Sequence, residues 1–104
     1  MIYTEEIESI KNQIVSKFSP IDIYLFGSYA KGLITKKSDI DLCVIIDTDN
    51  KRELVQKILF EVESDNDLDV VIYTRDEWEN HKDNPSTFAH IINKTGVSLV
   101  GRYN

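Results

Sequence analysis

The run from Asp39 to Ile46 constrains this chain more than any other segment. It ends in Val44, Ile45 and Ile46, apolar in succession, so a strand built from it offers apolar side chains on both faces. Such a strand belongs at the centre of a sheet. Ile21 to Phe26 and Leu68 to Tyr73 are two further runs rich in β-branched and aromatic residues, and Val97 to Val100 is a short fourth. Helical spacing of Ile7, Ile10, Ile14, Val15 and Phe18 predicts a helix over Thr4 to Phe18, stopped by Ser19-Pro20. Asn50 and Glu53 open a helix whose stripe is Leu54, Val55, Ile58, Leu59 and Val62, and Ser64-Asp65-Asn66 breaks it. Thr74 and Glu77 form a capping-box pattern ahead of Trp78. Ser86 is expected to cap a last helix over Phe88, Ala89, Ile91 and Ile92, ending at Gly96. The order α-β-β-α-β-α-α-β predicts an α+β fold, a small mixed β-sheet with helices packed on it.

Residues 1–104 suffice for a single domain, and a hydrophobic share of 41% is enough for one core. Eighteen acidic residues against twelve basic ones give a net charge of −6, a poor footprint for gripping nucleic acid by its phosphates. A lone cysteine, Cys43, excludes an internal disulfide and suits a reducing compartment. Met1 to Glu6 lacks the basic start and apolar run of a signal peptide, and no apolar stretch is long enough to span a bilayer. The expectation is a cytoplasmic domain with no direct nucleic-acid or membrane partner.

Chemistry concentrates in Gly27, Ser28, Asp39, Asp41 and Asp69. Asp39 and Asp41 sit two apart at the start of the central strand, so both carboxylates project from one face, on the order of 7 Å apart at the backbone. Asp69 opens the next strand, just before Val70-Val71-Ile72, and stands beside the pair if the two strands are neighbours. Asp67 shares its face, so either carboxylate is a candidate for the third position. Oxygen ligands of this kind suit Mg2+ or Mn2+, and no Cys/His set for zinc is present. Acidic residues at strand starts are often only solvated turn residues. Three of them opening two apolar strands, with Gly27-Ser28 ending another, favour a catalytic reading. Gly27 permits a tight turn and Ser28 offers a hydroxyl donor to a phosphate. A helix beginning at residues 28–31 would add free N–H groups. Gly27 to Gly32 is not a Walker loop, because Leu33-Ile34 stands where Lys and Ser/Thr are required.

Gly27-Ser28, ten intervening residues, then Asp39-Ile40-Asp41 resembles the Gly-Ser-x10-Asp-x-Asp signature of the DNA polymerase β-like nucleotidyltransferase superfamily. The longer string Gly27-Ser28-Tyr29-Ala30-Lys31-Gly32 through Ser38-Asp39-Ile40-Asp41-Leu42 resembles the minimal nucleotidyltransferases (MNT proteins). The likeness covers about Ile21 to Tyr73 and implies a polymerase β palm-like fold. It also implies that Asp39, Asp41 and Asp69 are the catalytic and metal-binding residues. Nucleotide-binding roles fall to Gly27, Ser28, Lys31 and Ser38, with ATP as donor and Mg2+ or Mn2+ as cofactor. The family often has arginine where Lys31 stands, and lysine keeps the charge without the planar fork. Lys36 and Lys37 are further candidates to offset triphosphate charge.

Minimal nucleotidyltransferases are similar to the antitoxin halves of two-gene systems whose toxin is a HEPN-domain ribonuclease. The resemblance implies a protein adenylyltransferase moving AMP from ATP to a tyrosine hydroxyl of that toxin. Two other readings stand beside it. One is an antitoxin that neutralises by stoichiometric binding; the other is a dimeric transferase acting on a small hydroxylated molecule such as an aminoglycoside. Only about 31 residues follow Tyr73, so the acceptor is expected to be held by a partner protein or by a second copy in a homo-oligomer. Cys43 reads as a small core residue, and His81 and His90 as structural or surface groups. Trp78 and Tyr103 suit either core or interface, and Tyr29 either a base contact or cover for the sheet edge.

Overall fold

The computed structural model describes residues 4–32 and 39–101. Its elements are α1 (Glu5–Phe18), β1 (Asp22–Phe26), α2 (Ser28–Lys31), β2 (Ile40–Ile45), α3 (Lys51–Glu61), β3 (Leu68–Tyr73), α4 (Arg75–His81), α5 (Phe88–Thr95) and β4 (Val97–Ser98). This is the expected order with the one-turn helix α2 inserted after β1. Four strands form one mixed sheet in the order β3-β2-β1-β4. β1 runs antiparallel to β2 and to β4, whereas β2 and β3 are parallel. A parallel pair needs a crossover, and α3 supplies it.

The central strand is covered on both faces, as its composition requires. Ile40, Leu42 and Val44 of β2 join Ile23 and Leu25 of β1 and Val70 and Ile72 of β3 beneath Ile7, Ile10 and Ile14 of α1 and Ile58 of α3. On the opposite face Tyr24, Cys43 and Ile45 pack against Trp78 of α4 and Ala89 and Ile92 of α5. Cys43 is fully buried in that second cluster, as expected of a small core residue. Trp78 is buried too, stacked at a tilt on Tyr24 and Tyr73, so core packing accounts for it.

Local chemistry sets the element ends. Ser19 takes a left-handed conformation (φ 50°) and donates to the Val15 carbonyl, and Pro20 prevents the helix from continuing. The capping box of α4 is complete: Thr74 Oγ1 accepts from the Glu77 N–H, and Glu77 Oε1 accepts from the Thr74 N–H. α5 is capped by Thr87 rather than Ser86, because it is Thr87 Oγ1 that accepts from the His90 N–H. Gly96 ends α5 as expected, but in an extended conformation (φ −85°) rather than a left-handed one. Its reason is proximity, since a Cβ there would lie 2.6 Å from the Ile92 carbonyl oxygen and 3.0 Å from that of Leu25.

Candidate active site

Two strand registers assemble the acidic end of the sheet. In the parallel pair Asp41 lies directly opposite Asp69, and in the antiparallel pair it lies opposite Phe26, the residue before Gly27. Asp41 thus has the third carboxylate on one side and the end of β1 on the other. Cys43 and Asp41 share a strand face, so the carboxylates belong to the face covered further along by α4 and α5. Asp39 immediately precedes β2 and is exposed, as is Asp69, while Asp41 is half-buried. Asp67 lies outside β3, where its carbonyl accepts from the Ile40 N–H at 2.9 Å. Of the two candidates, Asp69 is the one in register with Asp41.

Electrostatics agree with that proximity. Burial pushes the Asp41 carboxyl above the ordinary aspartate range, and the charges of Asp69 and then Asp39 push it further the same way. Among the described ion pairs none involves these three aspartates.

Gly27 closes over the same carboxylate. Its backbone (φ 71°, ψ −147°) is one that side chains with a Cβ rarely adopt, and a Cβ there would lie 2.2 Å from Asp41 Oδ2. The turn therefore rests its main chain against Asp41, which only glycine allows. Ser28 follows as the first residue of α2, half-buried, and Lys31 ends α2 with an exposed side chain. Tyr29 does not face outward: it is 6% exposed, packs into the α1/α3 core, and its hydroxyl accepts from Asn66 Nδ2 at 2.9 Å. Neither a base contact nor cover at the sheet edge fits that burial. Ser38, Lys36 and Lys37 lie outside the described residues, as does Tyr103.

The donor set fits a hard divalent cation, being carboxylate oxygen throughout and without an ion-pair partner among the described residues. Among the described residues no group of three or more His, Cys, Asp or Glu side chains is placed to hold a metal ion by itself. Mg2+ does not require one, since it is commonly held by one or two carboxylates together with substrate phosphates and water. His90 is occupied structurally, its Nδ1 lying 3.0 Å from the Lys82 carbonyl oxygen. A cleft of about 800 Å3 lined by Lys17, Phe18, Leu54, Lys57 and Phe60 lies between α1 and α3, on the other face of the sheet from the aspartates. No helix among the described residues is long and apolar enough to cross a membrane.

Asn66 and Glu6 were not legible as part of this region. Glu6 Oε1 accepts from Ser64 Oγ at 2.8 Å and from the Asn66 N–H at 3.1 Å, tying α1 to the turn before β3. Ser64-Asp65-Asn66 reads in sequence only as a helix breaker, and nothing in it signals a partner about sixty positions away.

No curated protein matches the chain significantly. A family model does: the one described as nucleotidyltransferase domain matches residues 7–89, from the first buried turn of α1 into α5 and across every residue of the acidic site. With that match spanning most of its length, the chain belongs to the nucleotidyltransferase domain family.

Proposed function

We propose that this nucleotidyltransferase moves AMP from ATP to a tyrosine hydroxyl of a HEPN-domain ribonuclease, and so acts as the antitoxin of that toxin. The observation that carries the catalytic part is the register that sets Asp69 opposite Asp41, with Gly27 resting on Asp41. In the proposed reaction the acceptor oxygen bonds to the α-phosphorus of ATP and the bond to the bridging oxygen breaks. AMP stays on the acceptor, pyrophosphate leaves, and the hydroxyl proton passes to Asp69 or to water beside it. Gly27 and Ser28, with Lys31 and Ser38, hold the phosphates. Asp39 and Asp41, completed by Asp69, would hold Mg2+ or Mn2+, which supplies charge neutralisation for the triphosphate and acidifies the attacking hydroxyl.

The partner part rests on the likeness of the Gly27–Leu42 string to minimal nucleotidyltransferases. An AMP group adds negative charge and bulk where RNA phosphate must bind, which suffices to block a ribonuclease. The test is the intact mass of the neighbouring gene's product after co-expression with this chain or with its Asp39→Asn/Asp41→Asn variant. One or more AMP-sized increases seen only with the unmodified chain are expected. An unmodified partner recovered in a stable complex with both forms would replace enzymatic silencing with stoichiometric binding.

A further inference from the structure

The helix that follows the phosphate turn is four residues long, and its N-cap residue Gly27 provides no side-chain cap. Such a short element needs an outside anchor to hold a fixed position. It has one: Tyr29, its buried side chain, whose ring is in the α1/α3 core and whose hydroxyl accepts from Asn66 Nδ2 at 2.9 Å. Asn66 is itself clamped. Its N–H donates to Glu6 Oε1 at 3.1 Å and to Ser64 Oγ at 3.2 Å, and its carbonyl lies 2.8 Å from Ser64 Oγ. One residue further on, the Asp67 carbonyl accepts from the Ile40 N–H, which joins the start of β3 to the start of β2. The clamped segment then runs straight into Asp69.

The geometry points to Tyr29 as a positioning residue. It is a strut that fixes the Gly27-Ser28 turn relative to Asp69, and therefore the bound phosphates relative to the group that handles the acceptor proton. This rests on the reading of the site given above and deepens it. Tyr29 adjoins Ser28, and Asn66 stands three residues before Asp69, so the Tyr29–Asn66 bond links the two halves of the site from within the α1/α3 core. Burial holds the Tyr29 hydroxyl in its protonated form, first by desolvation and then through the Glu6 charge. The strut therefore does not switch near neutrality.

A positioning role separates binding from turnover. Loss of the hydroxyl leaves the phosphate contacts in place but frees the turn to shift, and misplacement of about 1 Å costs on the order of a hundredfold in rate. The experiment compares the full chain with Tyr29→Phe, Asn66→Ala and the double variant. It reads ATP affinity with Mg2+, pyrophosphate release in the presence of the co-expressed acceptor, and amide hydrogen exchange without nucleotide. Expected for Tyr29→Phe are an ATP dissociation constant within about twofold of the unmodified chain, release slowed roughly ten- to a hundredfold, and faster exchange confined to α2 and residues 64–69. Asn66→Ala should slow release at least as much, with the double variant no slower than Asn66→Ala alone, because the Tyr29–Asn66 bond is already lost in it. Unchanged release by Tyr29→Phe, or slowing that multiplies in the double variant, overturns the strut while leaving nucleotidyl transfer intact. An unmodified chain that neither binds ATP nor releases pyrophosphate overturns both. Equal loss of affinity and rate in proportion to the unfolded fraction assigns Tyr29 to the core alone and overturns the strut.

Discussion

Gly27 rests against Asp41, and each makes a prediction about the other. At Gly27 alanine brings a Cβ to 2.2 Å from Asp41 Oδ2 on a backbone with φ 71°. Gly27→Ala is expected to cost about 1–3 kcal/mol of stability from backbone strain alone, and to reduce nucleotidyl transfer at least about a hundredfold through displacement of the carboxylate. Calorimetry and partner labelling check the two parts separately. At Asp41 the folded state raises the carboxyl pKa through burial, Asp69 and Asp39. The protonated group is the one the fold favours, so its contribution is fully present below the unfolded aspartate pKa and is lost as pH rises through the folded value. Metal-free Asp41→Asn is therefore expected to melt above the unmodified chain near neutrality, with the difference closing in acid. Thermal melts in chelator from about pH 3 to about pH 8 read the sign directly. The spacing of Asp39 and Asp41 and the lead of Asp69 into an apolar run made these residues legible in sequence. The inward turn of Tyr29 was not, because one tyrosine in a polar loop carries no periodicity to say which way it faces.

At the scale of elements, α4 shows how local chemistry secures a helix of only seven residues. Glu77 completes the capping box and is bonded by Lys51 at the start of α3. The Lys51 hydrogen bond, then the Thr74 backbone bond, hold the Glu77 carboxyl below the ordinary glutamate range. This is the opposite sign from Asp41. Its stabilising contribution is present above the unfolded glutamate pKa and is lost as pH falls through the folded value. Glu77→Gln should accordingly melt below the unmodified chain at neutral pH and converge with it in acid, and both Glu77 and Lys51 are solvent-accessible enough for added salt to shrink the gap. The capping box, the Ser19-Pro20 stop and the Asn50 cap are patterns of adjacent residues, so sequence carried them. The choice of Thr87 over Ser86 was not decidable there, since both hydroxyls can cap and the structure uses the second.

For the molecule as a whole, the sheet separates its tasks by face and by end. One face is closed by α1 and α3; the other is closed by α4 and α5 over Cys43 and Ile45, while the aspartates open its far end. Gathering like charges in a chain of net charge −6 makes the metal-free molecule self-repelling there. A divalent cation that binds only the folded state raises stability by mass action. Mg2+ or Mn2+ at about a hundred times its dissociation constant should add about 2.7 kcal/mol, and Asp41→Asn should forgo most of that gain. Differential scanning fluorimetry with and without the ion distinguishes the two. The α+β class and element order were readable because alternation and helical spacing are local. The strand order β3-β2-β1-β4 and the pairing of Asp41 with Asp69 were not, since they follow from how distant elements cover one another.

The contact between Gly27 and Asp41 also bears on how such a sequence changes over time. A side chain at 27 would meet the end of the Asp41 side chain, so the carboxylate must turn aside to admit it. Any residue but glycine at 27 keeps the acid but moves it from the place that the strand register gives it. A descendant that lost transferase chemistry would be free to drift at both positions together, while one that kept it would be held at both. Substitution at residue 27 is therefore expected to accompany loss of the proposed transferase chemistry, a mark visible in sequence alone.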